Sequence, residues 1–212
     1  MIEKHLPYFN LMDAMESADC PICHLIQKNM DSYFETLNYE GVNDQGFRAN
    51  FRRNEGFCPV HSHRFLSYQD ALAIVITHRE ILVDYLDLKS KPIKRKDKKN
   101  CHICEMIKDQ ENRFLNEMSG RFNDDNLKSA YLASKGLCLP HYILLAEQYK
   151  RIPIWITEFQ INKTKTMITA IDRYVDWSNF TCKTKEDLNE KQREIHLEVI
   201  KYLYGLKDCK SL

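Results

Sequence analysis

Residues 20–39 read CPICHLIQKNMDSYFETLNY, and residues 101–120 answer them with CHICEMIKDQENRFLNEMSG. Both open on C-x2-C and continue with apolar residues three and four apart, in the first case Leu25, Ile26, Met30, Tyr33, Phe34 and Leu37. That period belongs to a helix with one buried face. After each pair comes C-x2-H: Cys58-Pro-Val-His61 follows with 34 residues between, and Cys138-Leu-Pro-His141 follows its own pair with 33 residues between. The same arrangement therefore occurs twice at nearly the same interval.

The repeat extends beyond the cysteines. A shift of 81 places Ile22 on Ile103, Leu25 on Met106 and Ile26 on Ile107. A one-residue deletion before Phe34 then gives a shift of 80, which places Phe34 on Phe114, Phe47 on Leu127, Phe51 on Tyr131, Gly56 on Gly136 and His61 on His141. Apolar meets apolar throughout, so the chain is an internal duplication of a unit of about 80 residues. The expected organisation is a first repeat over residues 10–90, a second over 98–180 and a C-terminal helix over 184–208.

Outward from the motifs, the spacing predicts a helix to about residue 39 and a short one over residues 44–54. Gly56 and Gly136 are expected to end the short helices in the left-handed C′ conformation. Residues 60–88 predict one long, central and buried helix, because Leu72, Val75, Ile76, Leu82, Val83 and Leu86 form one stripe and Ile74, Ile81, Tyr85 and Leu88 another. In the second copy Pro153 interrupts this stretch and opens a helix to about residue 177. Thr184 and Asp187 resemble a capping box, followed helically by Leu188, Ile195, Val199, Tyr202, Leu203 and Leu206. No alternating run bounded by turns is found, and six glycines and six prolines are few for a turn-rich β fold. The fold class is all-α.

Two residues between donors let one turn of backbone aim both at one point, and two such pairs complete a tetrahedron. Prolines 21, 59 and 140 suit the first turn of a helix, where free N–H groups and the dipole favour thiolate. Each repeat is expected to close its own Cys3His site: Cys20, Cys23, Cys58 and His61 in the first, and Cys101, Cys104, Cys138 and His141 in the second. His24 and His63 lack counterparts, since Glu105 and Ile143 stand at the equivalent positions, and are read as surface or outer residues. Buried hydrophobic cysteines would predict no paired spacing. A redox dithiol at Cys20 and Cys23 lacks the surrounding βαβ pattern. Disulfides suit a secreted chain. Cys182 and Cys209 have no spaced partners and are read as ordinary thiols.

With 31 basic and 30 acidic side chains, no global field recruits nucleic acid or acidic lipid. Residues 89–100, KSKPIKRKDKKN, are read as a solvated linker between the repeats, since no aromatics interleave the charges. The longest uncharged apolar run, residues 71–77, is far short of a membrane span. The start carries Glu3, Lys4, His5 and Pro7 with no apolar core of a signal peptide, so the expected compartment is the cytoplasm. No phosphate loop, nucleophile elbow or helical HExxH motif is present.

The pairs CPIC with GFCPVH, and CHIC with GLCLPH, together with the helical spacing, resemble an uncharacterised bacterial family of helical domains. Its members carry CxxC and GxCxxH motifs, often twice. The resemblance spans residues 10–180 and implies metal binding at the eight motif residues, with no activity attached. The sequence thus predicts two Zn2+ per chain at closed sites, and an interaction or scaffold protein without turnover at the metal. An iron–sulfur redox or sensor protein using the same residues is the alternative. A zinc-containing nucleic-acid-binding regulator comes third, disfavoured by the charge balance. A protein partner or a second copy would dock through the C-terminal helix, where Leu188, Ile195 and Tyr202, and Val199 and Leu206, recur at sevenfold spacing.

Overall fold

The computed structural model describes residues 5–68, 70–87, 101–178 and 188–209. The linker 89–100, Cys182, and the pair Thr184 and Asp187 lie outside them. The helices in chain order are α1 (Leu6–Met15), α2 (Pro21–Tyr39), α3 (Gln45–Arg53), α4 (Pro59–Leu66), α5 (Ala71–Asp87), α6 (His102–Ser119), α7 (Asp125–Ala133), α8 (Leu139–Gln148), α9 (Ile154–Ser178), α10 (Glu190–Arg193) and α11 (Ile195–Tyr204). A 3-10 turn, Gly41–Asn43, precedes α3. No strand occurs among the described residues, and the fold is all-α and duplicated.

The chain divides into two compact units that do not follow the sequence repeats. The first unit comprises residues 1–25 and 111–206, and the second comprises 26–110 and 207–212. The core of the first is built from Leu11, Ile22, Leu115, Met118, Leu127, Tyr131, Leu145 and Ile156, all fully buried. Within it Tyr131 meets Trp155 and Phe159 edge-on, at 5.5 and 5.1 Å between ring centres. The second unit centres on aromatics: Phe57 stands edge-on to Phe34 at 5.7 Å and to Phe51 at 5.0 Å. Each such pair adds about 0.5–1.5 kcal/mol beyond the area it buries.

The helix starts carry the expected chemistry. Asp44 accepts from Phe47 N–H at 2.5 Å and Asp124 from Asn126 N–H at 2.9 Å, so the equivalent helices α3 and α7 share one cap, 80 residues apart. Along α2 and α6 the shift stays at 81, because the buried positions Met30, Phe34 and Leu37 correspond to Glu111, Leu115 and Met118. The deletion therefore lies in the turn after these helices, not before Phe34.

Three further expectations need correction. The stretch 60–88 is two helices. Ser67 Oγ turns back to the Arg64 carbonyl at 2.6 Å, and Asp70 caps α5 by accepting from Ala73 N–H at 2.9 Å. Helix α5 is not central: Leu72, Val75, Leu82 and Leu86 are each more than 60% exposed, and among its described side chains only Ala73, Thr77 and Ile81 are buried. Gly56 and Gly136 do have positive φ, 83° and 62°, but neither is C′. Glu55 takes C′ in the first copy with φ 54°, and Gly56 N–H then bonds the Phe51 carbonyl at 2.8 Å in a Schellman closure.

The helix missed by the sequence reading is α1, whose Tyr8, Leu11, Ala14 and Met15 are buried. At the other end, Asn189 and Gln192 form the capping box of α10. The sevenfold seam on α11 faces inward. Leu188 and Tyr202 are buried, and Tyr202 Oη lies 2.6 Å from Thr164 Oγ1 of α9. The apolar residues left outside on α11 are Leu197, Ile200, Leu203 and Tyr204.

Gly136 also sits where a Cβ would meet Phe159 Cε1 at 2.4 Å, whereas at Gly56 the nearest atom, Phe51 Cζ, is 3.3 Å away. Gly136→Ala is expected to cost about 2–3 kcal/mol and Gly56→Ala about 1 kcal/mol, both from the positive φ and the first also from the collision. Urea unfolding of the two variants, with equal losses, would contradict this.

Candidate metal centres

All four motif pairs adopt one local structure. Cys20, Cys58, Cys101 and Cys138 each stand immediately before a helix, and Cys23, His61, Cys104 and His141 stand three residues on, in the first turn. The carbonyl of each leading cysteine accepts the first intrahelical bond, from His24, Ser62, Glu105 and Tyr142 respectively, at 2.8 to 3.1 Å. N-cap and N3 side chains both project over the open N-terminal rim of a helix. Two such rims facing one point supply four donors.

The pairs combine across the repeats, not within them. One centre gathers Cys20, Cys23, Cys138 and His141; the other gathers Cys58, His61, Cys101 and Cys104, with donor atoms within 4.8 Å of one another in each. The expectation that each repeat closes its own site is overturned. The first centre belongs wholly to the first compact unit and the second wholly to the second. His24 is half-buried and His63 exposed, and neither joins a centre.

Within the first centre His141 Nδ1 lies 3.4 Å from Cys20 Sγ, 3.4 Å from Cys23 Sγ and 3.2 Å from Cys138 Sγ, and Cys23 Sγ is 3.7 Å from Cys138 Sγ. In the second, His61 Nδ1 is 3.2 Å from Cys58 Sγ and 3.5 Å from both Cys101 Sγ and Cys104 Sγ, and Cys58 Sγ is 3.8 Å from Cys104 Sγ. Seven of the eight donors are buried, and Cys104 is half-buried. Each arrangement can hold a metal ion through three sulfurs and an Nδ1.

The electrostatics favour a cation at these points. Burial pushes the Cys101 thiol up, but His61 beside it and the N–H groups of Cys58 and Cys104 outweigh that and bring it down to about 6. Burial likewise pulls the His141 imidazole down, yet the Cys20 thiolate and the bonds to Cys138, Cys20 and Glu111 lift it well above its ordinary value. Three sulfurs around one Nδ1 thus hold positive charge there, whether a proton or a metal ion.

The loop that presents Cys138 is clamped from α9. Gln160 Nε2 donates to the Leu137 carbonyl at 3.2 Å, and Lys163 Nζ donates to the Lys135 and Leu137 carbonyls at 2.6 and 3.1 Å. Cys20 and Cys138 also border a cavity of about 780 Å³ with Trp155, Phe159, Lys163 and Tyr202 in its wall. Sequence reasoning missed Glu111, whose Oε1 accepts from His141 Nε2 at 3.2 Å. The signal was its place in the buried stripe of α6, where Ile103, Ile107, Glu111 and Leu115 recur every four residues.

The crossed pairing has a direct consequence. Cys23→Ser and Cys138→Ser are expected to abolish the same metal equivalent and, combined, to remove no more than either alone. Cys23→Ser with Cys58→Ser should remove both. Metal counts on the three variants check this, and additive loss from Cys23 and Cys138 would refute the pairing.

A family model described as a family of unknown function (DUF6062) matches the chain twice, over residues 7–95 and 87–195. The chain is also similar to a protein of Caldicellulosiruptor sp. (strain Rt8B.4) named "Uncharacterized 23.9 kDa protein in xynA 3'region". The two are 26% identical over 171 residues, 76% of this chain and 84% of that one. No solved structure matches the chain. With both copies of its repeat matched, the chain belongs to the DUF6062 family.

Proposed function

We propose that the chain is a zinc protein whose two Cys3His centres are structural, and that it serves as an interaction or scaffold protein with no turnover at the metal. The edge lengths carry this reading. An ion at zinc distances, about 2.3 Å to sulfur and about 2.0 Å to nitrogen, sets tetrahedral edges of about 3.8 Å between sulfurs and about 3.5 Å from sulfur to nitrogen. One sulfur–sulfur edge in each centre is 3.7 or 3.8 Å, the sulfur–Nδ1 edges are 3.2 to 3.5 Å, and all four donors of a centre lie within 4.8 Å of one another. An iron–sulfur cluster inserts its own irons and sulfides and spreads its cysteines, so the short edges favour a single ion. Four protein donors leave no position for water or substrate, which supports a structural role. For a partner or a second copy on the C-terminal helix, the available face is Leu197, Ile200 and Tyr204, since the sevenfold seam is engaged on its own unit. No helix among the described residues is long and apolar enough to cross a membrane.

Elemental analysis is expected to find about two zinc ions per chain. Structural zinc contributes about 10–16 kcal/mol of binding energy that becomes folding energy, so Cys58→Ser should remove one ion and at least about 3 kcal/mol of stability. His63→Ala, at an exposed position outside both centres, should keep two ions and the same melting temperature. Less than one metal per chain in protein purified without chelator would overturn the proposal, and a coloured sample that bleaches on reduction would establish iron–sulfur instead.

A further inference from the structure

The two centres share a donor set and differ one atom further out. His141 Nε2 has Glu111 as its acceptor, with both groups buried. His61 is fully buried, and its Nε2 has no partner among the described residues. Helix register explains the difference. Glu111 lies seven residues after Cys104 on α6, and the same step from Cys23 along α2 reaches Met30, which is also buried. The duplication therefore supplies a carboxylate at one position and a thioether at its equivalent.

Binding an ion turns this difference into energy. Nδ1 faces the sulfurs in both centres, so an ion there forces the ring proton onto Nε2. At His141 that proton meets a carboxylate, which fixes the ring and strengthens Nδ1 as a donor. At His61 it is buried without an acceptor, an arrangement that costs the desolvation of the N–H. Without an ion the proton can sit on Nδ1 among the sulfurs, so the penalty falls on the ion-bound form. A second observation points the same way: Cys104 is the most exposed of the eight donors, half-buried where the other seven are buried, and it belongs to the His61 centre.

We infer that the centres are unequal in exchange. The His141 centre keeps its ion, and the His61 centre gives its ion up to a competing chelating acceptor and takes it back, the exchange beginning where the bond from the ion to the Cys104 thiolate breaks and a donor of the acceptor takes its place. Glu111 is the positioning residue that makes the first centre permanent. This rests on the zinc reading above.

The test uses the full chain loaded with zinc and challenged with a chelating dye, 4-(2-pyridylazo)resorcinol, while release is followed by absorbance. One equivalent is expected quickly and the second at least about tenfold more slowly, the size of effect that an outer carboxylate has on a metal-bound imidazole. Cys104→Ser should remove the fast phase and Cys23→Ser the slow one. Glu111→Met, which installs the other copy's residue, should bring the slow phase close to the fast. Glu111→Gln, whose amide oxygen still accepts from Nε2–H, should restore most of the delay, which a merely structural role for Glu111 would not produce. If Glu111→Met fails to fold, the wild-type phases and the two cysteine variants still decide. Equal release of both equivalents, or a slow phase lost with Cys104→Ser, overturns the inference and leaves the zinc reading standing. A chain that never loads zinc overturns both.

Discussion

Everything in this fold leans on the convergence of two helix N-termini on one point, which happens twice. A leading cysteine at the N-cap and a second donor at N3 occupy the rim where backbone N–H groups are unpaired and the helix dipole is positive. The rim lowers the cost of gathering thiolates, and an ion held there would offset the mutual repulsion of the sulfurs. Because each donor pair is rigidly part of its helix start, fixing the pair fixes the direction in which the helix leaves the centre. Leu25, Ile26 and Phe34 on α2, and Ile107 and Leu115 on α6, are aimed into their cores by this constraint as much as by their hydrophobicity.

Chain entropy does not account for the crossed pairing. Cys23 meets Cys138 across 115 residues, where a partner within its own repeat, Cys58, is 35 residues away in sequence. A loop longer by that ratio costs only about 1 kcal/mol more to close. Burial of a few side chains outweighs such a term, and within each unit rings of one repeat pack on side chains of the other: Arg121 lies over the Tyr8 ring at 4.7 Å in the first unit, and Tyr33 meets His102 at 5.4 Å between ring centres in the second. Packing selects the partner, and the loop-closure cost is too small to oppose it.

This is also the boundary of what the sequence discloses. The donors, their helix-start positions and the duplication are local properties, written in C-x2-C, C-x2-H and the three-to-four apolar spacing. Which rim faces which is a property of packing, and a duplicated sequence satisfies either pairing with identical spacings. The same limit explains α5. Its circumference reads as apolar throughout, yet Leu72, Val75, Leu82 and Leu86 lie outside, because periodicity reports that a helix has apolar faces and not how many are covered. Glu111 was legible only as an acid out of place in a buried stripe, and its acceptor role needed the position of His141.

The two copies reach one architecture by different chemistry, and the differences are informative. After each C-x2-H the helix is short, α4 in the first copy and α8 in the second, and a longer helix follows. In the first copy Ser67 and Asp70 make the break by capping backbone groups. In the second, Tyr149 N–H closes on the Leu145 carbonyl, and Pro153 stands just ahead of α9. A break preserved while its residues change points to a requirement of the fold. Helices α4 and α8 stop early in both copies, so His61 and His141 each stand in the first turn of a short segment anchored at both ends. Glu111 and Met30 show the opposite case, a position where the architecture is identical and the chemistry is not. Side chains that diverge at a fixed place beside a donor alter the centre and leave the scaffold unchanged, so the asymmetry of the two centres can develop without any cost to the packing that defines them.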